Sequence, residues 1–429
     1  MTQPVPAAAG TAAAGMVPVG RLVRLTAIGA LVGLPAGLLA FGFSWLVHEF
    51  TLLLWHHLPT AMGLPGPPWY LVIGLPVLGG LLVHLARQLP GDGGHPPIHE
   101  GLSLGGRPAD ALGAGAAALA SLSFGLVLGP EAPLLTLGAA IAVRVTSRLT
   151  LDAASRKLVS AAGSAGALST LFGGPLVAGL MILETSASAG LAMVPIILPA
   201  LPSASVAYLL ITGLGSWSGL GSPGIVVGDL PPYTSVLWGD LLLAVVAGVV
   251  IAGLAAGIRW LAQALAGLEP RVGRLPLLLG GGLVVGLSAW AAGLAGAAPL
   301  DVLFSGKTSV TPLLQATGGT VVALVVAKAL GYAVSLGSGF RGGAIFPAVF
   351  LGVAVANTSV LAFGTSPTVA VAIGTAAGTA AMTRLLVSRC CSPACWSDGP
   401  GWRPSRWPPW RRSPRGWPRQ RWTASAPRR

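Results

Sequence analysis

Glu131 sits in the run Gly129-Pro130-Glu131-Ala132-Pro133-Leu134-Leu135, a lone carboxylate at the head of an apolar stretch. A carboxylate in such surroundings is costly when ionised, so its position calls for a reason. Two further segments share its Gly/Pro punctuation. One is Gly91-Asp92-Gly93-Gly94-His95-Pro96-Pro97-Ile98-His99-Glu100-Gly101, and the other is Gly337-Ser338-Gly339-Phe340-Arg341-Gly342-Gly343-Ala344-Ile345-Phe346-Pro347. Each reads as a flexible turn followed by an apolar helix. Each therefore puts a helix N-terminus, with free backbone N–H groups and the positive end of the dipole, inside a hydrophobic protein. Such ends attract anions. Glycine admits close backbone approach, and proline is tolerated in a first helical turn. Three such ends converging would hold an anion without a basic side chain, and weakly enough to release it. Glu131 then has two readings. It either competes with the anion for these ends, or it is a first-turn acid that complements its own helix dipole.

The elements that must position these segments belong in a bilayer. The chain has 429 residues, 53% hydrophobic and 9% charged, with a mean hydropathy of +0.78. Soluble domains carry about 25% charged residues. These values exclude a secreted disulfide scaffold, a disordered chain and a soluble enzyme, and predict an all-α polytopic membrane protein. The 62 glycines and 36 prolines suit a membrane bundle, where glycine lets helices approach and neighbours re-satisfy the backbone at proline. Residues 1–19 read as a disordered segment without the charged start of a signal peptide. Arg21 and Arg24 precede a charge-free run from Leu25 to Val47, a first span with its amino end in the cytoplasm. Apolar blocks follow at about 69–88, 109–126, 131–146, 157–171, 174–188 and 190–214, and again at 236–265, 275–299, 312–335, 343–363 and 366–383. Many are short or broken. Paired short segments in two halves point to an inverted-repeat transporter with helices broken at the midplane. The expected organisation is a first repeat over 20–214, a connector at 215–234 and a second repeat over 235–385.

This pattern resembles the CLC family of chloride channels and chloride/proton antiporters, over about residues 20–385. The family's pore segments G-S-G-I-P, G-[KR]-E-G-P and G-x-F-x-P correspond to Asp92-Gly93-Gly94-His95-Pro96, Gly129-Pro130-Glu131-Ala132-Pro133 and Gly343-Ala344-Ile345-Phe346-Pro347. Leu324–Pro347, with Lys328, is the most specific match. Phe172–Gly179 followed by Leu183-Glu184 resembles a family helix that ends in acidic residues. The resemblance implies a CLC-like inverted-repeat bundle, a homodimer with one pore per subunit, and transport of chloride or a similar small anion, coupled to protons. It implies anion contacts from Gly93, Gly94, His95, Pro96, Gly129, Pro130, Ala132, Pro133, Gly343, Ala344, Ile345, Phe346 and Pro347. Glu131 corresponds to the gating glutamate, which fills an anion site when charged and swings away when protonated. Glu131, Glu184 and Thr185 would line the proton pathway.

The departures from the family pattern carry information. Gly93 stands where the family has a serine whose hydroxyl holds the central anion, so a backbone N–H or water would have to serve. Ile345 takes the place of the usual phenylalanine, with Phe346 one position later. Thr185 replaces the second of the paired acids, which weakens proton coupling. Glu184 also reads as a plain helix-end acid. A passive voltage- or pH-gated channel of the same fold is therefore the first alternative. Lys328 either lures an anion or satisfies backbone carbonyls. His48-Glu49 and His56-His57 lack the H-E-x-x-H spacing of a zinc site and read as interfacial beside Trp45 and Trp55. His95, His99 and Glu100 lack a third ligand at helical spacing, and no metal is expected. No nucleotide-binding loop, other cofactor motif or nucleic-acid patch stands out, and no enzymatic activity is expected.

The net charge of +13 is local. Ten arginines and one acid, Asp398, lie beyond Leu385, so that segment carries +9 and residues 1–385 only +4. All three cysteines, Cys390, Cys391 and Cys395, and six of the 13 tryptophans lie there too. Three lysines against 22 arginines suggest a GC-rich bacterial genome. In such a genome an apolar helix read out of frame yields Trp, Arg and Cys. Residues 386–429 thus read either as a frameshifted product lacking the last two helices and pore tyrosine of the family, or as a basic tail that touches anionic lipid. The first reading makes a truncated, non-transporting chain the second functional alternative. The expected location is the cell membrane.

Overall fold

Apolar runs free of acids become helices, and glycine and proline set where they stop. The computed structural model describes residues 18–94, 106–188, 193–218, 230–233, 235 and 237–383. The first long helix, α1 (Val19–Leu52), passes through Pro35 without breaking and continues through a π turn (Leu53–His57) into α2 (Leu58–Ala61). It is followed by α3 (Trp69–Ala86), α4 (Ala111–Ser123), α5 (Glu131–Val145), α6 (Ala153–Ser169), α7 (Pro175–Ser188) and α8 (Met193–Ser218). The second half holds α9 (Trp238–Ala266), α10 (Glu269–Val272), α11 (Arg274–Leu294), α12 (Pro299–Val302), α13 (Val310–Leu314), α14 (Gly318–Gly337), α15 (Ile345–Phe363) and α16 (Pro367–Thr383). Seven helices among the described residues are long and apolar enough to cross a membrane. At 15 and 17 residues, α5 and α6 rise about 22–26 Å, short of a 30 Å hydrocarbon core. The protein is an all-α, multi-pass membrane bundle with broken helices.

Small residues set the helix contacts. Gly29, Gly33 and Gly37, one turn apart on α1, lie against Pro199, Ser203 and Ala207 of α8. A Cβ on Gly29 would come 2.8 Å from the Pro199 Cα, so only glycine permits this approach. Gly282 and Gly286 of α11 do the same against Pro76 and Ile73 of α3. The packing repeats between the halves. As α1 packs on α5 and α6, so α9 packs on α15 and α16, and each short pair, α5 with α6 and α15 with α16, packs on itself.

Basic residues gather in clusters at the helix ends. Arg21 of α1 binds Asp152, the residue that caps α6, at 2.7 Å to Oδ1. Arg107, Arg156 and Lys157 line one cavity. Arg87, Arg274 and Arg341 cluster around Asp92.

Two boundaries and one side chain differ from the sequence reading. The first span extends beyond Leu25–Val47 at both ends, because the charged and histidine-bearing turns outside the hydrocarbon window keep helical geometry. The α8 helix runs to Ser218, into the segment 215–234 read as a connector; residues 219–229 lie outside the described part. Trp45 is exposed as an interfacial residue should be, but Trp55 is buried and donates from Nε1 to the Ser123 carbonyl at 3.0 Å. Residues 1–17 and 384–429, including the basic tail, also lie outside the described residues.

Candidate functional site

The second and third punctuated segments meet. Gly129 and Gly343 exchange backbone hydrogen bonds, N to O at 2.8 Å in one direction and 2.5 Å in the other, as an isolated antiparallel bridge. The helices that follow, α5 and α15, therefore begin side by side in the middle of the protein. Glu131, the first residue of α5, is fully buried. Its Oε1 accepts from the backbone N–H of Phe346 at 2.7 Å, in the first turn of α15. Its Oε2 has no hydrogen-bond partner among the described residues. The carboxylate thus sits at the N-terminus of a helix other than its own, where the free amides and dipole would receive an anion.

Glycine makes the room. A Cβ on Gly343 would fall 2.6 Å from the Glu131 Cδ and 3.0 Å from its Cβ, and one on Gly129 would also strike the carboxylate. Around this pocket Tyr332 donates from its hydroxyl to the Ala344 carbonyl at 2.6 Å. The Phe346 ring stacks on Phe172, with centroids 5.6 Å apart and planes 12° apart. Ser335 receives the Val127 N–H, which ties α14 to the loop before α5. Of the residues read as anion contacts, Gly129, Gly343 and Phe346 surround Glu131 directly. Pro130, Ala132, Pro133, Ala344, Ile345 and Pro347 flank them on the two first turns.

The first punctuated segment takes a different form. Gly91, Asp92, Gly93 and Gly94 all have positive φ, a run that needs its three glycines. Gly93 packs against the side chains of Arg87, Ala117 and Arg341, and Gly94 against Ala114. Arg341 Nη2 donates to the Asp92 carbonyl at 2.8 Å, and Arg87 Nη2 and Arg274 Nη1 each reach the Asp92 carboxylate at 3.0 Å. Burial pulls the Asp92 carboxyl up, but the hydrogen bonds and charge of Arg87, with Arg274 and Arg341, hold it below the usual carboxylate range. Glu269 completes the cluster against Arg274 at 2.8 Å. This clamp escaped the sequence reading. The sequence shows only Arg341 inside a Gly/Pro-punctuated segment, not the partners it meets. His95 and Pro96, and with them Pro97, His99 and Glu100, lie outside the described residues.

Lys328 falls to the second of its two readings. It is buried and donates to the carbonyls of Asp301, Val302, Leu303 and Phe304 at 2.7, 3.1, 3.1 and 3.3 Å, closing the C-terminal end of α12. Its ammonium also lies 4.6 Å from the Phe350 ring centroid. On α7, Glu184 is half-buried, and the Thr185 hydroxyl donates to the Met181 carbonyl one turn back at 2.7 Å.

Two helices that begin side by side inside a multi-pass membrane bundle, with a buried carboxylate at their N-termini, fit the ion-transport class of membrane proteins. The chain belongs to the voltage gated chloride channel family, whose profile matches residues 74–391. It is 31% identical over 349 residues to YfeO of Salmonella typhimurium (strain LT2), a protein named for ion transport, covering 79% of this chain and 81% of that one. Its fold is similar to that of a CLC-type fluoride/proton antiporter, with a TM-score of 0.63 and 17% identity over 87% of this chain and 90% of the other. A slow cyanobacterial Cl−/H+ antiporter gives the same TM-score at 19% identity, covering 87% and 92%.

Proposed function

We propose that this chain carries chloride or a similar small anion across the cell membrane in exchange for protons, with Glu131 as the gate. The observation that carries the reading is the Glu131 carboxylate docked on the Phe346 amide at the head of α15. An anion and this carboxylate would compete for the same N–H groups. Protonation removes the charge that holds the side chain there, so uptake of a proton frees the position for the anion, and loss of the proton closes it again. That alternation links the two movements. Two of its fold neighbours are a fluoride/proton and a Cl−/H+ antiporter, which makes exchange the first reading to test. Pairing of two copies, each with its own pathway, rests on the family resemblance.

One observation favours a passive channel as the second reading. Thr185 stands where a second acid would relay protons, and its hydroxyl is engaged on its own helix. Proteoliposomes separate the two. Under an imposed chloride gradient an exchanger drives protons uphill, whereas a channel moves none. In Glu131→Gln and Glu131→Ala variants the proposal expects anion flux without proton coupling. Unchanged coupling or unchanged pH dependence in these variants would remove Glu131 from the gate.

A further inference from the structure

Two cavities meet at Pro108, which lines both. The first, of about 810 Å³, runs between α1, α4 and α5, with walls that include Leu38, Phe43, Leu119, Ile141 and Arg144. The second, of about 770 Å³, lies beside the start of α6. Arg107, Arg156 and Lys157 line it, above a floor that includes Val143, Leu158 and Ile196. No acidic side chain is among the described residues lining either cavity. The nearby acids face elsewhere. Asp152 is engaged by Arg21 and by the Ser155 amide, and Asp110 lies against Gly91.

We propose that the two cavities form one site for an anionic phospholipid. The phosphate binds Arg107, Arg156 and Lys157, and one acyl chain fills the groove between α1, α4 and α5, which Arg144 also lines. The groove alone would take any lipid tail. The cations at its basic end, with no acid among the described residues lining the cavity, select the headgroup, because a zwitterionic lipid brings no net charge to them. A free phosphate would use only the basic cavity and leave the apolar groove unused. The inference does not depend on which ion the protein transports.

The test uses the full chain, delipidated in mild detergent, with native mass spectrometry as the readout. Each cation near the headgroup is worth about fivefold in affinity, so three give roughly a hundredfold preference for phosphatidylglycerol over phosphatidylcholine. The Arg107→Gln/Arg156→Gln/Lys157→Gln variant should lose that preference. Gly115→Leu fills the groove from the other side. A Cβ there meets only Leu137, at 3.6 Å, so the side chain has room and the fold is spared. This variant should weaken phosphatidylglycerol binding at least tenfold while glycerol 3-phosphate binding is unchanged. Equal binding of the two phospholipids, or full phosphatidylglycerol binding by both variants, overturns the proposal. So does displacement of the lipid by equimolar glycerol 3-phosphate, which would mark a site for free phosphate esters.

Discussion

Gly343→Ala tests the gate without touching the glutamate. The Gly343 backbone lies outside the left-handed region, so alanine costs it no strain. The new methyl would instead collide with the Glu131 carboxyl, its Cβ 2.6 Å from the Glu131 Cδ. The side chain must leave its pocket and give up the Phe346 N–H. A hydrogen bond to a charged group is worth about 1.5–3 kcal/mol net. Its loss shifts the balance between docked and withdrawn Glu131 by roughly 10- to 150-fold. If the docked carboxylate is the closed gate, Gly343→Ala should behave like Glu131→Ala: anion flux persists at high pH and proton coupling falls. Proteoliposome efflux read together by a chloride electrode and a pH electrode measures both. The double variant Glu131→Ala/Gly343→Ala should lie close to Glu131→Ala alone, because the carboxyl that the methyl strikes is gone and only the Cβ of residue 131, 3.0 Å away, remains beside it. Full coupling in Gly343→Ala, or a further loss of flux in the double variant, would refute the reasoning.

Three other substitutions bear on what holds the site in place. Lys328→Met orphans several buried carbonyls at the end of α12 at about 1 kcal/mol each or more; a loss near 3 kcal/mol should appear as a clear drop in the melting temperature of the detergent-solubilised protein. Asp92→Asn removes the counter-charge that Arg87 and Arg341 share, and those side chains are only 6% and 4% exposed. A buried charge left unpaired costs about 3–5 kcal/mol, reduced here to about 1–3 because Asp92 is itself half-exposed and Glu269 remains near Arg87; denaturant unfolding reads it. The Asp152 carboxyl is held down, from its ordinary 3.8 to about 2, first by its hydrogen bonds from Ser155 and then by Arg21. Its contribution is therefore complete above pH 4 and lost as pH falls through 2. Asp152→Asn should flatten the acid limb of stability in that window, as followed by tryptophan fluorescence.

Much of this architecture is legible from residue type and spacing, and the exceptions have physical causes. The meeting of α5 and α15 follows from two Gly/Pro turns, each opening an apolar helix, because such turns can end only in buried helix N-termini. The stripe Gly29, Gly33, Gly37 on α1 was equally readable as a close-packing face, but not its partner. A stripe of small residues says that another backbone approaches without saying which one, and here it is α8. Trp55 misled because the π turn re-aims it inward, and nothing in local composition marks a π turn. The Asp92 clamp was hidden for a stronger reason. Its arginines come from positions 87, 274 and 341 and meet only after the two halves are packed, so no window of sequence contains it.

The same contrast explains how two kinds of charge coexist here. Around Asp92, guanidinium groups answer a carboxylate at 3.0–3.3 Å and fasten loops from both halves. Around Glu131 no basic side chain is hydrogen-bonded to the carboxylate among the described residues; backbone amides, that of Phe346 among them, and the dipole of α15 hold it. A pair of full charges in a dry interior is hard to separate. Partial charges hold a carboxylate or an anion with similar and modest strength. A site meant to exchange one for the other needs the second arrangement, and the loops that carry it need the first.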